Sequence, residues 1–483
     1  KENNTMSTET NERHDRYKNK WVVLATMLLM TFMSTLDGSI VNVALPTMAK
    51  ELSVTTQSIS WVVSSYLVGI CTVILVFGKL GDLKGKMKIF KIGVFLFTLG
   101  SLICGFSPSL PILIASRILQ AMGAAASMAT SQGIITEAFP KHERGRALGL
   151  NGTFVALGSM TGAPLGGFLI SIFSWNYIFL INLPIGILAF IFCQKFLPKE
   201  HVKARKFPDV KGFLLFVITI VSFFVAIIEG EVLNYTNPLI ITCFAVSIIS
   251  FILFVYIEKS VAEPMLDLDI FKSKLFSISI FCAFISFVAL FCLSMVNPFY
   301  LQYTLKYSPA ITGLLMMFYS VIISFVSPFS GTLSDKIGSE FLTFIGLVIM
   351  GVGLFLMTLL SVSTPIPLFI GFIIIIALGA GLFQSPNTSL IMSTVNKDQL
   401  GIAGSVNALV RNLGMSVGTA LATSLLYNRM SHKAGYKVLT YIEGRDDIFM
   451  YGMRYVYMVA GAFCIIGAII TFVRLHNSRV KHF

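Results

Sequence analysis

Apolar runs of 18 or more residues recur along this 483-residue chain, and they decide what it can fold into. Each is long enough to cross a hydrocarbon core of about 30 Å as a helix rising ~1.5 Å per residue. Fourteen are read, near 21–45, 57–80, 89–106, 111–136, 147–172, 177–196, 212–229, 237–257, 275–297, 310–330, 341–361, 366–391, 401–426 and 451–473. Transmembrane β-strands would instead alternate over about ten residues. The expected fold is therefore an all-α integral membrane protein with 14 transmembrane helices. Only 12% of the chain is charged, against roughly a quarter in soluble domains. The first run is too long for a cleaved signal, and no small-residue cleavage site follows it. Met6 is the expected start, and the polar stretch 1–20 reads as a disordered tail.

A net charge of +13 raises the question of nucleic acid, and its distribution answers it. An even number of spans puts both termini on one side. On that topology 27 of the 36 Lys and Arg residues fall on the side of the termini and 7 on the other. This is the positive-inside pattern, so the termini are expected in the cytoplasm and the charge is expected to set topology and meet anionic lipid. All seven cysteines (71, 104, 193, 243, 282, 292, 464) fall in apolar runs without a C-x-x-C pair, which marks them as small core residues and not as a metal site or disulfide frame. All six histidines lie in predicted loops or tails, and no acid pair sits within a span. An intramembrane enzyme is accordingly not expected, nor any cofactor.

The charged turn "GKLGDLKGKMK" (78–88) has a looser copy, "GTLSDKIG" (331–338). One follows the second span and the other the tenth. Two direct six-span halves would put the copy after span 8, so two extra spans lie between. The chain then divides into a tail (1–20), a first bundle (21–196, spans 1–6), a basic linker (197–211), an inserted helix pair (212–257, spans 7–8), a second linker (258–274), a second bundle (275–473, spans 9–14) and a C-terminal tail (474–483). Parallel repeats of this kind are a secondary-transporter design. "PKHERGRALG" (140–149) and "VNKDQLGIAG" (395–404) occupy matching places in the two halves.

The repeated G-x-L-x-D-x-x-G turn resembles the signature loop of the major facilitator superfamily. With "LDGSIVNVALP" (36–46), "SRILQAMGAA" (116–125), "GSMTGAPLGG" (158–167) and "WNYIFLINLPIG" (175–186), the chain looks like the fourteen-span drug:proton antiporter branch of that family, from Trp21 to about Arg474. The resemblance implies that the charged loops latch the two halves on the cytoplasmic side, through Gly78, Asp82, Gly85 and Lys86 in the first copy and Gly331, Asp335 and Gly338 in the second. It implies that Gly158, Gly162, Pro164, Gly166 and Gly167 form the antiporter motif, which packs one half against the other and limits leak.

The residues carry their own physical readings. Gly81 and Gly85 are one residue too close for a phosphate-binding loop, and they permit a tight turn. Asp82 suits a helix N-terminus or a cation. Gly158, Gly162 and Gly166 lie on one helix face at i, i+4 and i+8 spacing, where small residues let helices approach closely, and Pro164 introduces a kink. Asp37 is the one acid well inside a span, at a cost of about 2.5–3.5 kcal/mol on insertion scales. Counting residues puts Arg117 of span 4 at a similar depth. An Asp that exchanges a proton for an Arg partner or a cationic substrate is a coupling device; a permanent structural ion pair is the alternative. Acids near span ends, Glu137, Glu229 and Glu231, are secondary candidates. Gln120, Asn297, Gln384, Asn387, Asn407 and Arg411 are candidate cavity-lining residues within a pocket expected to be apolar. The stretch 427–450 is the longest outer loop, either solvated or a lid.

These readings together describe a monomeric, proton-coupled exporter of amphipathic cationic or zwitterionic compounds, in the inner or plasma membrane of a bacterium, working by alternating access. Export of one endogenous lipid, peptide or metabolite is the second reading, and a membrane sensor or enzyme a remote third. The expected partners are small molecules, protons and membrane lipids, with no nucleic acid.

Overall fold

The structure, a computed structural model, describes residues 19–54, 56–198, 209–261, 264–438 and 441–480. Residues 1–18 of the expected N-terminal tail and most of the 197–211 linker lie outside that range. The described chain is helical throughout. Its helices are α1 (Lys20–Glu51), α2 (Thr56–Lys84), α3 (Lys86–Gly105), α4 (Leu110–Ala138), α5 (Lys141–Ile172), α6 (Tyr177–Leu180), α7 (Asn182–Phe196), α8 (Val210–Leu233), α9 (Pro238–Ser260), α10 (Lys274–Phe299), α11 (Pro309–Ile337), α12 (Ser339–Met357), α13 (Ile366–Ser393), α14 (Leu400–Ala434) and α15 (Asp446–Val480).

Among the described residues, 12 helices are long and apolar enough to cross a membrane, or 13 if one bent pair counts as a single span. The bent pair is His142–Ser159 and Pro164–Ile172, at 40°. The thirteenth expected span, 401–426, also forms a helix. It falls below the apolar threshold because Asn407, Arg411 and Asn412 interrupt it. Among the described residues the protein is thus an all-helical, multi-pass membrane protein with 12–13 candidate spans.

The chain forms two compact units. The first comprises Lys1–Phe213, Glu258–Asp267 and Val395–Ala408; the second comprises Leu214–Ile257, Leu268–Thr394 and Leu409–Phe483. The start of α14, which follows the second copy of the charged turn in sequence, packs into the first unit. The helix pair α8–α9 belongs to the second unit, held together by Thr219 and Ser250 hydroxyls 2.9 Å apart and by the Phe216 and Phe254 rings, tilted to each other with centroids 5.4 Å apart.

Inside each unit glycines set the helix contacts. In the first, a Cβ added at Gly123 of α4 would lie 2.7 Å from the Gly93 carbonyl of α3. In the second, a Cβ at Gly379 of α13 would lie 2.7 Å from the Gly346 carbonyl of α12. Gly93 and Gly346 stand at the offset that separates Gly85 from Gly338, so the repeat seen in the charged turn extends into the packing. Gly85 (φ 102°) and Gly338 (φ 96°) both adopt the left-handed region, which an L side chain resists; each reverses the chain between two helices.

The expected 427–450 loop is shorter than predicted, because α14 runs to Ala434 and α15 starts at Asp446. Tyr441 in this loop stacks on Tyr303 with ring centroids 4.9 Å apart. Burial, with the Asp446 carboxylate beside it, pushes the Tyr441 phenol up to about 12, so it stays a neutral donor.

Candidate transport site

Asp37 sits on α1 and Arg117 on α4, and both are fully buried. Their distance in sequence is bridged by a direct ion pair from Arg117 Nη1 to Asp37 Oδ2. The other carboxylate oxygen, Oδ1, accepts from Gln120 Nε2 at 2.8 Å and from Asn182 Nδ2 at 2.9 Å. Gln120 also donates to Ser101 Oγ at 2.8 Å and accepts from Arg117 Nη1 at 2.6 Å. Arg117 Nε donates to the Val62 carbonyl at 3.0 Å, and its guanidinium lies 4.1 Å from the centre of the Tyr66 ring. Tyr66 in turn donates to the Ser34 carbonyl at 3.1 Å. Five helices of one unit therefore converge on a single carboxylate. A charge taken out of water needs this density of donors, because desolvation otherwise outweighs one ion pair. Two polar atoms of the cage are left over, Arg117 Nη2 and Asn182 Oδ1, both buried without a partner.

Gln120 is thus part of the Asp37 cage. Asn182, Ser101 and Tyr66 were not singled out by sequence. Asn182 lies within "WNYIFLINLPIG", a motif whose polar residues could have raised it.

The charged turn places Asp82 at the N-terminus of α14. Its two oxygens accept from Gly401 N at 2.8 Å and Ile402 N at 2.9 Å, where a helix leaves N–H groups unsatisfied. Lys86 is turned inward, 3.2 Å from Asp82 and 2.8 Å from Glu137, and it donates to the Lys397 carbonyl at 3.3 Å. Gly78 packs on the same helix start, a Cβ there falling 2.7 Å from the Gly401 carbonyl. In the second copy, Gly338 makes the turn, Gly331 is buried and Asp335 half-buried. Glu137 is engaged by Lys86, Glu229 is half-buried, and the Glu231 side chain lies outside the described part.

The glycine stripe of α5 is closely packed. It faces α1 of its own unit: a Cβ at Gly158 would lie 2.7 Å from the Phe32 carbonyl, one at Gly162 2.7 Å from Ser39 Cβ, and one at Gly166 2.9 Å from Ile40 Cγ1. Ser39 Oγ donates to the Gly158 carbonyl at 3.2 Å. These three glycines bring α5 onto the helix that carries Asp37, where the resemblance implied contact between halves. Gly167 faces open space and Pro164 is exposed. Gly414 of α14 repeats the device in the second unit, against Phe287 of α10.

Three other cavity candidates are hydrogen-bonded between helices. Asn297 accepts from Tyr457 Oη at 2.5 Å, Asn387 donates to the Ser279 carbonyl at 3.0 Å, and Asn407 donates to Gln132 at 3.1 Å; all three are buried. Gln384, bonded to Tyr319, and Arg411 are half-buried. Among the described residues no group of three or more metal-binding side chains occurs.

Comparison with known proteins gives this architecture its family. The sequence pattern of the Major Facilitator Superfamily matches residues 27–419 and 279–482. The chain is 36% identical over 456 residues to the riboflavin transporter RibZ of Clostridioides difficile, covering 94% of this chain and 97% of that one. It is 33% identical over 397 residues to the multidrug resistance protein Stp of Mycobacterium tuberculosis, covering 82% and 74% respectively. Among solved structures, the proton:xylose symporter XylE shares the fold with a TM-score of 0.66 at 14% identity over 95% of this chain and 96% of that one. The human organic anion transporter MFSD10 shares it with a TM-score of 0.67 at 11% identity over 94% and 99%. The protein is a secondary transporter and not an enzyme, and the chain belongs to the Major Facilitator Superfamily.

Proposed function

We propose that the chain is a proton-coupled antiporter of the fourteen-span drug:proton branch, exporting amphipathic cationic or zwitterionic compounds by alternating access from a cell membrane with both termini cytoplasmic. The observation that carries this reading is the Asp37 carboxylate, fully buried within an apolar helix and met by Arg117, Gln120 and Asn182. Protonating Asp37 removes the charge that Arg117 neutralises, which loosens α1 from α4. Deprotonation restores the pair. A carboxylate whose two states favour different helix contacts converts a proton gradient into motion. Gly158, Gly162 and Gly166 fix α5 against α1, so a shift at Asp37 is carried by more than one helix. Asp82 and Lys86 hold the start of α14 and form the part of the latch that must release in each cycle. The multidrug resistance protein relative favours a broad substrate range.

A second reading follows from the riboflavin transporter relative, which the chain matches over almost its full length. Here the cargo is a flavin-like planar molecule, and coupling at Asp37 is unchanged. Transport by proteoliposomes under an imposed proton gradient tests both. Ethidium, a quaternary ammonium compound, a fluoroquinolone and riboflavin are offered separately while internal pH is followed. Gradient-driven movement of several chemically unrelated compounds fits the multidrug reading, and movement of riboflavin alone fits the second. Equal uptake with and without a gradient, for every compound, would contradict proton coupling.

A further inference from the structure

Beside the charged turn, on the outside of the first unit, lies a groove of about 490 Å³ between α3 and α7 that the transport reading does not use. Its walls are Lys84, Lys88, Lys91, Ile92, Phe95 and Phe190, completed by Met87, Gln194 and Pro198. The helices meet closely where Gly186 faces Thr98, a Cβ there falling 3.1 Å from Thr98 Cβ. Nearer the charged turn the Phe95 and Phe190 rings stand 6.3 Å apart and the groove opens beside them. Residues 88, 91, 92 and 95 share one face of α3 at i, i+3, i+4 and i+7 spacing. The cationic end of that face is therefore continuous with its apolar end.

Lys84, Lys86, Lys88 and Lys91 divide by direction. Lys86 is 6% exposed and committed to Asp82 and Glu137. Lys84 and Lys88 are exposed and Lys91 is half-buried, and all three line the groove. Below them Ile92 and Phe95 are 38% and 52% exposed, as side chains facing acyl chains should be. Three cations placed over an apolar slot, at the end of spans, match an anionic headgroup with its acyl chains. A free phosphate would satisfy the lysines and leave the Phe95–Phe190 slot without an occupant.

We infer that this groove binds an anionic phospholipid, with Lys84, Lys88 and Lys91 on the phosphate-bearing headgroup and Ile92, Phe95 and Phe190 along an acyl chain. The site is independent of the substrate and of Asp37. Because α3 continues from the turn that holds Asp82, the lipid braces the helix pair at the point where the turn anchors α14.

Native mass spectrometry of the full chain, delipidated in detergent and titrated with phosphatidylglycerol or phosphatidylcholine of the same acyl chains, tests this. The expected result is retention of phosphatidylglycerol at least about tenfold stronger than phosphatidylcholine. The triple change Lys84→Gln, Lys88→Gln and Lys91→Gln should abolish that preference, and the corresponding triple change to Arg should keep it. A control triple at exposed lysines elsewhere, Lys211→Gln, Lys259→Gln and Lys272→Gln, should leave it intact. Glycerol phosphate, the headgroup without chains, should not compete. Equal loss in both Gln triples, equal retention of the two lipids, or displacement by glycerol phosphate would each overturn the assignment.

Discussion

Asp37 and Arg117 are both fully buried, and each is tolerable there only because of the other. Arg117→Gln leaves the carboxylate without its cation and should cost about 3–5 kcal/mol of stability. Pairing it with Asp37→Asn removes both charges, and the double variant should be more stable than Arg117→Gln alone. Thermal unfolding of the three variants in one detergent checks the order. Both charged residues were legible in the sequence, because an ionisable group within an apolar run is rare enough to be read as functional. The rest of the cage was not. Asn182 reaches Asp37 across 145 residues, and only its place in "WNYIFLINLPIG" set it apart from a helix-packing Asn. Gln120 was visible as a polar residue one turn beyond Arg117, but only the fold shows that its amide points at the carboxylate.

Helix contacts in this chain depend on where side chains are missing. Gly162 of α5 lies so close to Ser39 that Gly162→Leu should force α5 from α1, costing about 1–3 kcal/mol or more. Gly167, with open space around it, is the internal control: Gly167→Ala should be neutral or stabilising by up to about 1 kcal/mol. Chemical or thermal unfolding of the two variants separates close packing from loss of glycine as such. Gly85→Ala and Gly338→Ala probe a different property, the positive φ at each turn, and each should destabilise by about 1–3 kcal/mol. Matched losses at the two sites would show that the repeated turns do the same structural work. The i, i+4, i+8 spacing announced a close approach. It could not name the partner helix, which is α1.

Across the whole molecule, the repeat was the most legible feature, since Gly85 and Gly338 keep their offset through Gly93 and Gly346 into the helix packing. The span count was less so. The helix α14 carries Asn407, Arg411 and Asn412, and its polarity keeps it from being counted by hydropathy. The proposed topology makes a checkable statement about sides. In a variant with the native cysteines replaced, His142→Cys and Lys272→Cys should react only from the cytoplasm and Thr236→Cys only from outside, read with a membrane-impermeant thiol reagent on intact cells and on inverted vesicles. Reversed labelling would invert the topology. The central claim, that Asp37 exchanges its proton as substrate binds, is tested most directly by proton release from the purified protein in weakly buffered detergent solution. Whichever of ethidium or riboflavin binds is added to wild type and to Asp37→Asn. The account predicts release on binding by wild type and none from the variant, whereas equal release from both would contradict it.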